Sequence, residues 1–109
     1  NLAGMITRPL NKEVIYTELQ KHKAKLEQYG VARIGLFGSF VRDEGTEESD
    51  IDFLVDFEKD KKTLSNLVDL GDFLENVFNK KVDIVTPQGL SPYIGPHILK
   101  EVQYAFLAS

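Results

Sequence analysis

The segment from Ile51 to Phe57, with the sequence IDFLVDF, constrains the fold more than any other part of the chain. Apolar residues occupy every second position of this segment, and two of the three residues between them are aspartates. Successive side chains of a β-strand point to opposite faces, so this alternation predicts a half-buried strand with one face on the core and the other toward solvent. A strand of this kind needs partner strands and a covering layer, and the chain is therefore expected to contain a sheet.

The other sequence patterns predict the elements around this strand. Apolar residues at helical spacing predict helices over residues 11–29 and 64–78, and short apolar runs predict strands over residues 31–37 and 82–85. A short terminal helix is expected over residues 98–106. This order predicts the α+β class: a single domain with a mixed β-sheet of three or more strands flanked by helices. The predicted N-caps of the two longer helices are Asn11 and Thr63.

The length of 109 residues and the absence of cysteine limit the class of protein. A chain of this size builds one domain around one core. The absence of thiols excludes disulfide scaffolds, thiolate zinc sites and cysteine nucleophiles. No apolar run is long enough to span a membrane and no secretory signal is visible, so we expect a cytoplasmic protein without a membrane partner. We assign the domain to residues 5–109 and interpret residues 1–4, which precede Met5, as a cloning remnant.

Acidic residues are concentrated in one part of the chain. The formal net charge is −4, from 13 Lys and Arg against 17 Asp and Glu. The basic field of a non-specific nucleic-acid binder is missing, so nucleic acid is not the expected partner. Residues 43–58 contain no Lys or Arg, and such an excess of carboxylates is either a solvated loop or a cation site. The acidic residues of this segment are Asp43, Glu44, Glu47, Glu48, Asp50, Asp52, Asp56 and Glu58.

Gly38 and Ser39 directly follow the first predicted strand. A turn at this position can present backbone N–H groups and a hydroxyl to a phosphate. A Gly-Ser pair after a strand is also a common tight turn with no ligand. Arg42, three residues further along, can bridge phosphate oxygens or can pair with the acidic loop instead.

Three aspartates are candidates for a metal site. Asp50 and Asp52 are two residues apart in a strand, so they point to the same face at a spacing of roughly 6.6 Å. Asp83 belongs to the third predicted strand and comes within about 4.8 Å of the second if the two pair side by side. Taken singly, each is also explained as a solvated or edge-strand carboxylate. Adjacent carboxylates repel unless a cation lies between them, and together with a phosphate-binding turn they form the set that phosphoryl transfer requires.

The spacing of these residues resembles the nucleotidyltransferase superfamily typified by DNA polymerase β. The matching features are Gly38-Ser39, ten intervening residues, Asp50-Ile51-Asp52, and Asp83 within VDIV. The stretch over residues 38–57, GSFVRDEGTEESDIDFLVDF, is similar to the minimal nucleotidyltransferases, the MntA-like antitoxins. The resemblance extends over about residues 12–106, which is nearly the whole chain.

This resemblance implies a fold, a reaction and a partner. The fold is a mixed sheet flanked by helices, and the reaction moves a nucleoside monophosphate, AMP from ATP, to an acceptor hydroxyl with two Mg²⁺ ions, which Mn²⁺ can replace. The implied partner is a HEPN-domain toxin, with this chain as its antitoxin. The residues that the resemblance assigns are Asp50, Asp52 and Asp83 for catalysis and metal binding, and Gly38, Ser39, Arg42 and Ser49 for the triphosphate and its loop.

Two other functions stay open from the sequence. One is a non-enzymatic antitoxin or binding module that uses the fold only to dock on its partner. The other is a small-molecule nucleotidyltransferase of the aminoglycoside-modifying kind, which shares the Gly-Ser and Asp-x-Asp pattern but usually carries an added acceptor-binding domain. The presence of all three aspartates favours an enzyme over a binding module.

Overall fold

The computed structural model describes residues 9–105 and residue 107. Residues 1–4, interpreted above as a cloning remnant, lie outside the described residues. No helix in the described part of the chain is long and apolar enough to cross a bilayer. In chain order the elements are helices α1 (Lys12–Lys21) and α2 (Lys23–Gln28), strands β1 (Val31–Phe37) and β2 (Ile51–Phe57), helix α3 (Leu64–Phe78), strand β3 (Val82–Val85), a 3-10 turn (Pro87–Gly89), helix α4 (Gly95–Glu101) and strand β4 (Gln103–Tyr104).

The strands form one mixed sheet in the order β3-β2-β1-β4. β1 is antiparallel to both β2 and β4, whereas β2 and β3 are parallel. A parallel pair needs a crossover connection, and α3 supplies it between β2 and β3. The predicted mixed sheet flanked by helices is confirmed, and β2 is an interior strand of that sheet.

The hydrophobic core lies between the sheet and helices α1, α2 and α3. The apolar positions of β2 face this layer, as their alternation predicts. Leu54, between the two aspartates of β2, is also fully buried, so β2 is covered more completely than a half-buried strand. The core residues are Ile15, Leu19 and Leu26 from α1 and α2, Ile34 and Leu36 from β1, Ile51, Phe53 and Val55 from β2, and Leu70, Leu74 and Phe78 from α3.

Both predicted N-caps are confirmed. The side chain of Asn11 accepts a 2.9 Å hydrogen bond from the Val14 N–H. The Thr63 hydroxyl accepts a 3.1 Å bond from the Asn66 N–H. Each cap satisfies one of the backbone donors that a helix N-terminus leaves without an intrahelical partner.

The predicted first helix is interrupted at His22, whose φ of −106° and ψ of 23° are not helical. The imidazole Nδ1 of His22 lies 2.8 Å from the Glu18 carbonyl oxygen, and the backbone N–H of His22 lies 3.2 Å from the same oxygen. A carbonyl oxygen only accepts, so the Nδ1–H competes with the helical hydrogen bond for that acceptor. The prediction of one continuous helix is therefore wrong, and two helices occupy that span.

The prediction of a terminal helix over residues 98–106 is confirmed for residues 98–101 and wrong for residues 102–105. Helix α4 ends at Glu101, and the chain then adds β4 to the edge of β1. Gly35 of β1 allows this approach, because a Cβ there would lie 2.5 Å from Val102 Cγ2 and 2.9 Å from Tyr104 Cδ1. Pairing with β1 therefore makes residues 103–104 a strand, although their apolar spacing predicted a helix.

Candidate active site

The candidate site begins at the turn after β1. Gly38 has a φ of +78°, which glycine adopts more readily than other residues. A Cβ at Gly38 would collide with the carboxylate of Asp52. The close approach therefore brings the predicted phosphate-binding turn directly against the predicted metal ligand, and glycine is required at this position for both reasons.

Two apolar residues of the turn hold it on the core. Phe40 and Val41 are buried in the core cluster, while Ser39 and Arg42 on either side of them are partly or fully exposed. The Ser39 carbonyl accepts a 2.8 Å hydrogen bond from the Glu44 N–H, which closes the turn. Among the residues that the structure describes, neither the hydroxyl nor the N–H of Ser39 has a protein partner, so both are open to a ligand.

Two of the three predicted metal ligands face each other across parallel strands. Asp52 of β2 and Asp83 of β3 are register partners, and Asp52 is also opposite Phe37, the residue before the turn. Asp50 lies immediately before β2, where the Ile51 N–H donates a 3.0 Å hydrogen bond to the Lys81 carbonyl and anchors the start of the strand beside β3. The pairing of the second and third strands, on which the Asp83 prediction depended, is confirmed.

The pKa of Asp52 is raised by its burial and by the carboxylates around it. Burial and the negative charges of Asp83, Asp50 and Glu101 raise its pKa from 3.8 to about 6, and the positive charge of Arg42 acts in the opposite direction. Desolvation and like charges both penalise an ionised carboxylate. A carboxyl group whose pKa is perturbed by burial and specific neighbours is typical of functional sites.

The donor set suits a divalent cation in its chemistry. All three candidate ligands are carboxylates, which Mg²⁺ prefers, and the repulsion that raises the pKa of Asp52 is what a bound cation would relieve. Within residues 9–105 and 107, no group of three His, Cys, Asp or Glu side chains stands in metal-binding geometry. The facing pair of Asp52 and Asp83 is therefore the part of the predicted ligand set that suits a divalent cation, and Asp50 is the candidate third ligand beside it.

Ser49 supports the acidic loop and does not lie in the turn itself. Its hydroxyl accepts a 2.9 Å hydrogen bond from the Thr46 N–H, and its own N–H donates to the Thr46 carbonyl at 3.1 Å. Lys80, just before β3, donates from Nζ to the Glu47 carbonyl at 2.7 Å and to the Thr46 carbonyl at 3.4 Å. Sequence reasoning missed Lys80, because a lysine more than thirty positions away in the chain carries no local signal.

Arg42 is held by two carboxylates. Its Nε donates to Glu44 at 3.0 Å, and its Nη1 donates to Glu101 Oε1 at 2.6 Å. The other oxygen of Glu101 accepts a 2.7 Å hydrogen bond from the Gly38 N–H. Glu101, at the C-terminal end of α4, was missed by sequence reasoning, and the expected terminal helix through that position offered no signal for it.

The arrangement brings together Gly38, Arg42, Asp52 and Asp83, and over residues 19–105 the chain matches the family model described as a nucleotidyltransferase domain. The chain belongs to the nucleotidyltransferase family. The match covers β1, β2, α3, β3 and α4, so every element that contributes to the site lies within it.

This nucleotidyltransferase is similar to curated and solved proteins along most of its length. It is 42% identical to a protein named protein adenylyltransferase MntA from Thermococcus cleftensis, over 87% of this chain and 96% of the relative. A solved structure of a minimal nucleotidyltransferase superposes with a TM-score of 0.74 at 32% identity, covering 86% of this chain and 95% of that one. A toxin–antitoxin structure with AMP-PNP shares the fold, with a TM-score of 0.66 at 21% identity, covering 84% and 74% of the two chains.

These matches confirm the fold and the enzyme class that the sequence resemblance implied. The roles of individual residues in metal and triphosphate binding stay predictions. One detail is revised by the geometry: the Gly38 N–H is bonded to Glu101, whereas the Ser39 N–H has no partner among the described residues.

Proposed function

We propose that this nucleotidyltransferase transfers AMP from ATP to a hydroxyl on a partner protein, as the antitoxin of a HEPN-domain toxin. The observation that carries the proposal is the pair of Asp52 and Asp83, facing each other across β2 and β3 directly beside the Gly38-Ser39 turn. The likeness to the adenylyltransferase MntA supports AMP as the transferred group and a protein as its acceptor. The toxin–antitoxin structure with AMP-PNP supports ATP as the donor.

In this proposal the turn binds the triphosphate and the aspartates bind two Mg²⁺ ions. The hydroxyl and N–H of Ser39 and the guanidinium of Arg42 supply donors for phosphate oxygens. Asp50, Asp52 and Asp83 would hold the cations, which when bound offset the charge of the phosphates. Ser49 and Lys80 support the acidic loop between the turn and β2 through hydrogen bonds to its backbone.

The chemical step is a substitution at the α-phosphorus of ATP. The acceptor hydroxyl oxygen forms a bond to that phosphorus, the bond from the phosphorus to the β-phosphate oxygen breaks, and pyrophosphate leaves. In this proposal Asp83, the register partner of Asp52, accepts the proton of the hydroxyl as general base. The net charge of −4 makes a protein a better acceptor than a nucleic acid, which would be repelled.

The test mixes the chain with Mg²⁺, the product of the neighbouring gene as candidate partner, and ATP labelled in the α- or the γ-phosphate. We expect label on the partner from α-labelled ATP alone, because only the AMP group is transferred. Asp52→Asn should abolish the transfer. Asp56→Asn is the matched control, since Asp56 lies on the same strand but pairs with Arg33 at 2.8 Å outside the site.

Three outcomes would contradict the proposal. Label on RNA or on a free small molecule such as an aminoglycoside would assign a different acceptor. Label from γ-labelled ATP would mean phosphate transfer. Complex formation with the partner, but with no label on it, would favour the non-enzymatic antitoxin.

A further inference from the structure

The carboxylate of Glu101 links the end of α4 to the candidate triphosphate turn. One oxygen accepts the Gly38 N–H at 2.7 Å, and the other accepts Nη1 of Arg42 at 2.6 Å. Both distances are at the short end for hydrogen bonds of a charged acceptor. The two bonds, together with the charge of Arg42, hold the pKa of Glu101 below its usual value although burial acts in the opposite direction.

We propose that Glu101 is a positioning residue for the triphosphate: it holds the Gly38 backbone and the Arg42 guanidinium in the orientation in which the turn receives phosphate oxygens. This inference rests on the function proposed above and adds a residue to that same site. Glu101 acts through Gly38 and Arg42, and it does not itself touch the nucleotide.

Glu101 leaves several hydrogen-bond donors of the turn without a partner. This supports a positioning role for Glu101 over one in which its carboxylate competes with the triphosphate for the same donors. Glu44 and Glu101 take Nε and Nη1 of Arg42, and in the described part of the chain Nη2 has no protein partner. The Ser39 hydroxyl and N–H are likewise open within the described residues. Glu101 therefore bonds Gly38 and one nitrogen of Arg42, and it leaves the Ser39 donors and Nη2 of Arg42 without a protein partner in the described part of the chain.

Arg42 would have another set of acceptors without Glu101. The positive charge of Arg42 already acts on Asp52, whose carboxylate lies against Gly38. About half of the Arg42 side chain is exposed, so its guanidinium has room to turn. With Glu101 removed, we expect Arg42 to turn toward the aspartates, where it would oppose cation binding and leave the triphosphate.

The contact also joins the C-terminal segment to the turn. Helix α4 has seven residues, and the segment after it pairs with β1 at Gly35–Tyr104 and Leu36–Gln103, with a further 2.8 Å bond from the Ala105 N–H to the Ile34 carbonyl. The backbone bonds within the turn, from Arg42 to Gly38 and from Glu44 to Ser39, are all local. The Glu101 carboxylate is thus the direct hydrogen-bonded link between α4 and the turn among the described residues.

The experiment measures binding of ATP with Mg²⁺ to the full chain by calorimetry, without the partner protein. Glu101→Gln keeps the size of the side chain and removes the charge, and we expect the Kd for ATP to rise about 5- to 20-fold. The matched control is Glu47→Gln, which removes the same charge from an exposed position on the acidic loop, with an expected change below about 2-fold.

A mutant cycle with Arg42 separates positioning from a general structural role. Because Glu101 acts through Gly38 as well as Arg42, adding Glu101→Gln to Arg42→Ala should raise the Kd, but by a smaller factor than in the wild type. Should Glu101→Gln melt below the assay temperature, Glu101→Asp replaces it, because it keeps the charge and shortens the reach. Its Kd for ATP should rise relative to the wild type, with Glu47→Asp as control.

Each remaining outcome decides the question. Tighter ATP binding by Glu101→Gln would overturn the inference, because Glu101 would then be a competing anion. An unchanged Kd, or equal losses with and without Arg42, would overturn it as well. Wild-type chain that does not bind ATP would overturn the proposed function and, with it, this inference; wild-type binding with an unaffected variant overturns this inference alone.

Discussion

Asp52 is a charged residue that the folded protein disfavours in its ionised form, at the position proposed for a metal ligand. Its carboxylate is half-buried, faces Asp83 in register, and lies against Gly38, so the folded state holds an anion among anions. Burial and these neighbours raise its pKa to about 6. No structural requirement of a β-strand favours such a group at this position, and its energetic cost is typical of a site shaped for a cation.

We expect Asp52→Asn to stabilise the metal-free protein at neutral and alkaline pH. The pKa of Asp52 in the folded state, about 6, exceeds its ordinary value of 3.8, so the ionised form is disfavoured in the folded state. The destabilisation that Asn removes therefore grows as pH rises from about 4 to about 6 and is complete above that range. Melting curves in EDTA should show a gain of a few degrees at about pH 8 and almost none at about pH 4. A gain independent of pH, or a loss, would contradict this account.

At the scale of elements, the site depends on how β1 turns into its loop and on how α3 returns the chain to β3. The turn needs a positive φ at Gly38, and its own residues Phe40 and Val41 anchor it on the core. Helix α3 makes the crossover that sets β3 parallel to β2 and so brings Asp83 opposite Asp52. The element boundaries therefore determine the site geometry.

Alanine at two glycines should have opposite effects on stability. Gly38→Ala introduces a Cβ at a φ of +78° that would collide with Asp52, and we expect it to lower the free energy of unfolding by about 1–3 kcal/mol. Gly71 lies inside α3, where a Cβ would have Ile84 Cδ1 as its nearest neighbour at 3.8 Å. Gly71→Ala should raise the free energy of unfolding by about 0.5–1 kcal/mol, because alanine is the better helix former. Urea denaturation measures both, and a stabilising Gly38→Ala would refute the close approach.

At the scale of the whole molecule, residues that are distant in the chain meet at one place on a small acidic protein. The radius of gyration is 13.4 Å, and the site draws on residues from Gly38 to Glu101. With a formal net charge of −4, the chain has no general attraction for a triphosphate. Local donors at the turn and bound cations have to supply it.

Mg²⁺ together with ATP should therefore stabilise the native protein. A ligand that binds only the native state raises the free energy of unfolding by mass action, by about 2.7 kcal/mol at a free concentration about 100 times Kd. Thermal melts should show this increase for the wild type and for Asp56→Asn, and removal of Mg²⁺ with EDTA should reverse it. Asp52→Asn should show little response. No shift of the wild type at millimolar Mg²⁺ and ATP would count against the site.

The sequence by itself determined the parts of this protein that depend on local patterns. The three long strands and α3 have the predicted bounds, and Asn11 and Thr63 cap their helices as predicted. These features follow from the period of the side chains and from the hydrogen bonding of residues three positions apart. The three aspartates and the Gly-Ser turn could be identified as candidates because their order and spacing relative to the predicted strands can be read from the sequence.

Only the tertiary structure decided the features that depend on distant partners. The break at His22, the strand β4 in place of a terminal helix, and the supporting roles of Lys80 and Glu101 were not predicted. Glu101 and Gly38 are 63 positions apart, and nothing in the sequence near either residue marks the other. Local propensity is worth only tenths of a kcal/mol per residue, so a neighbouring strand or a charged hydrogen bond brought close by the fold overrides it.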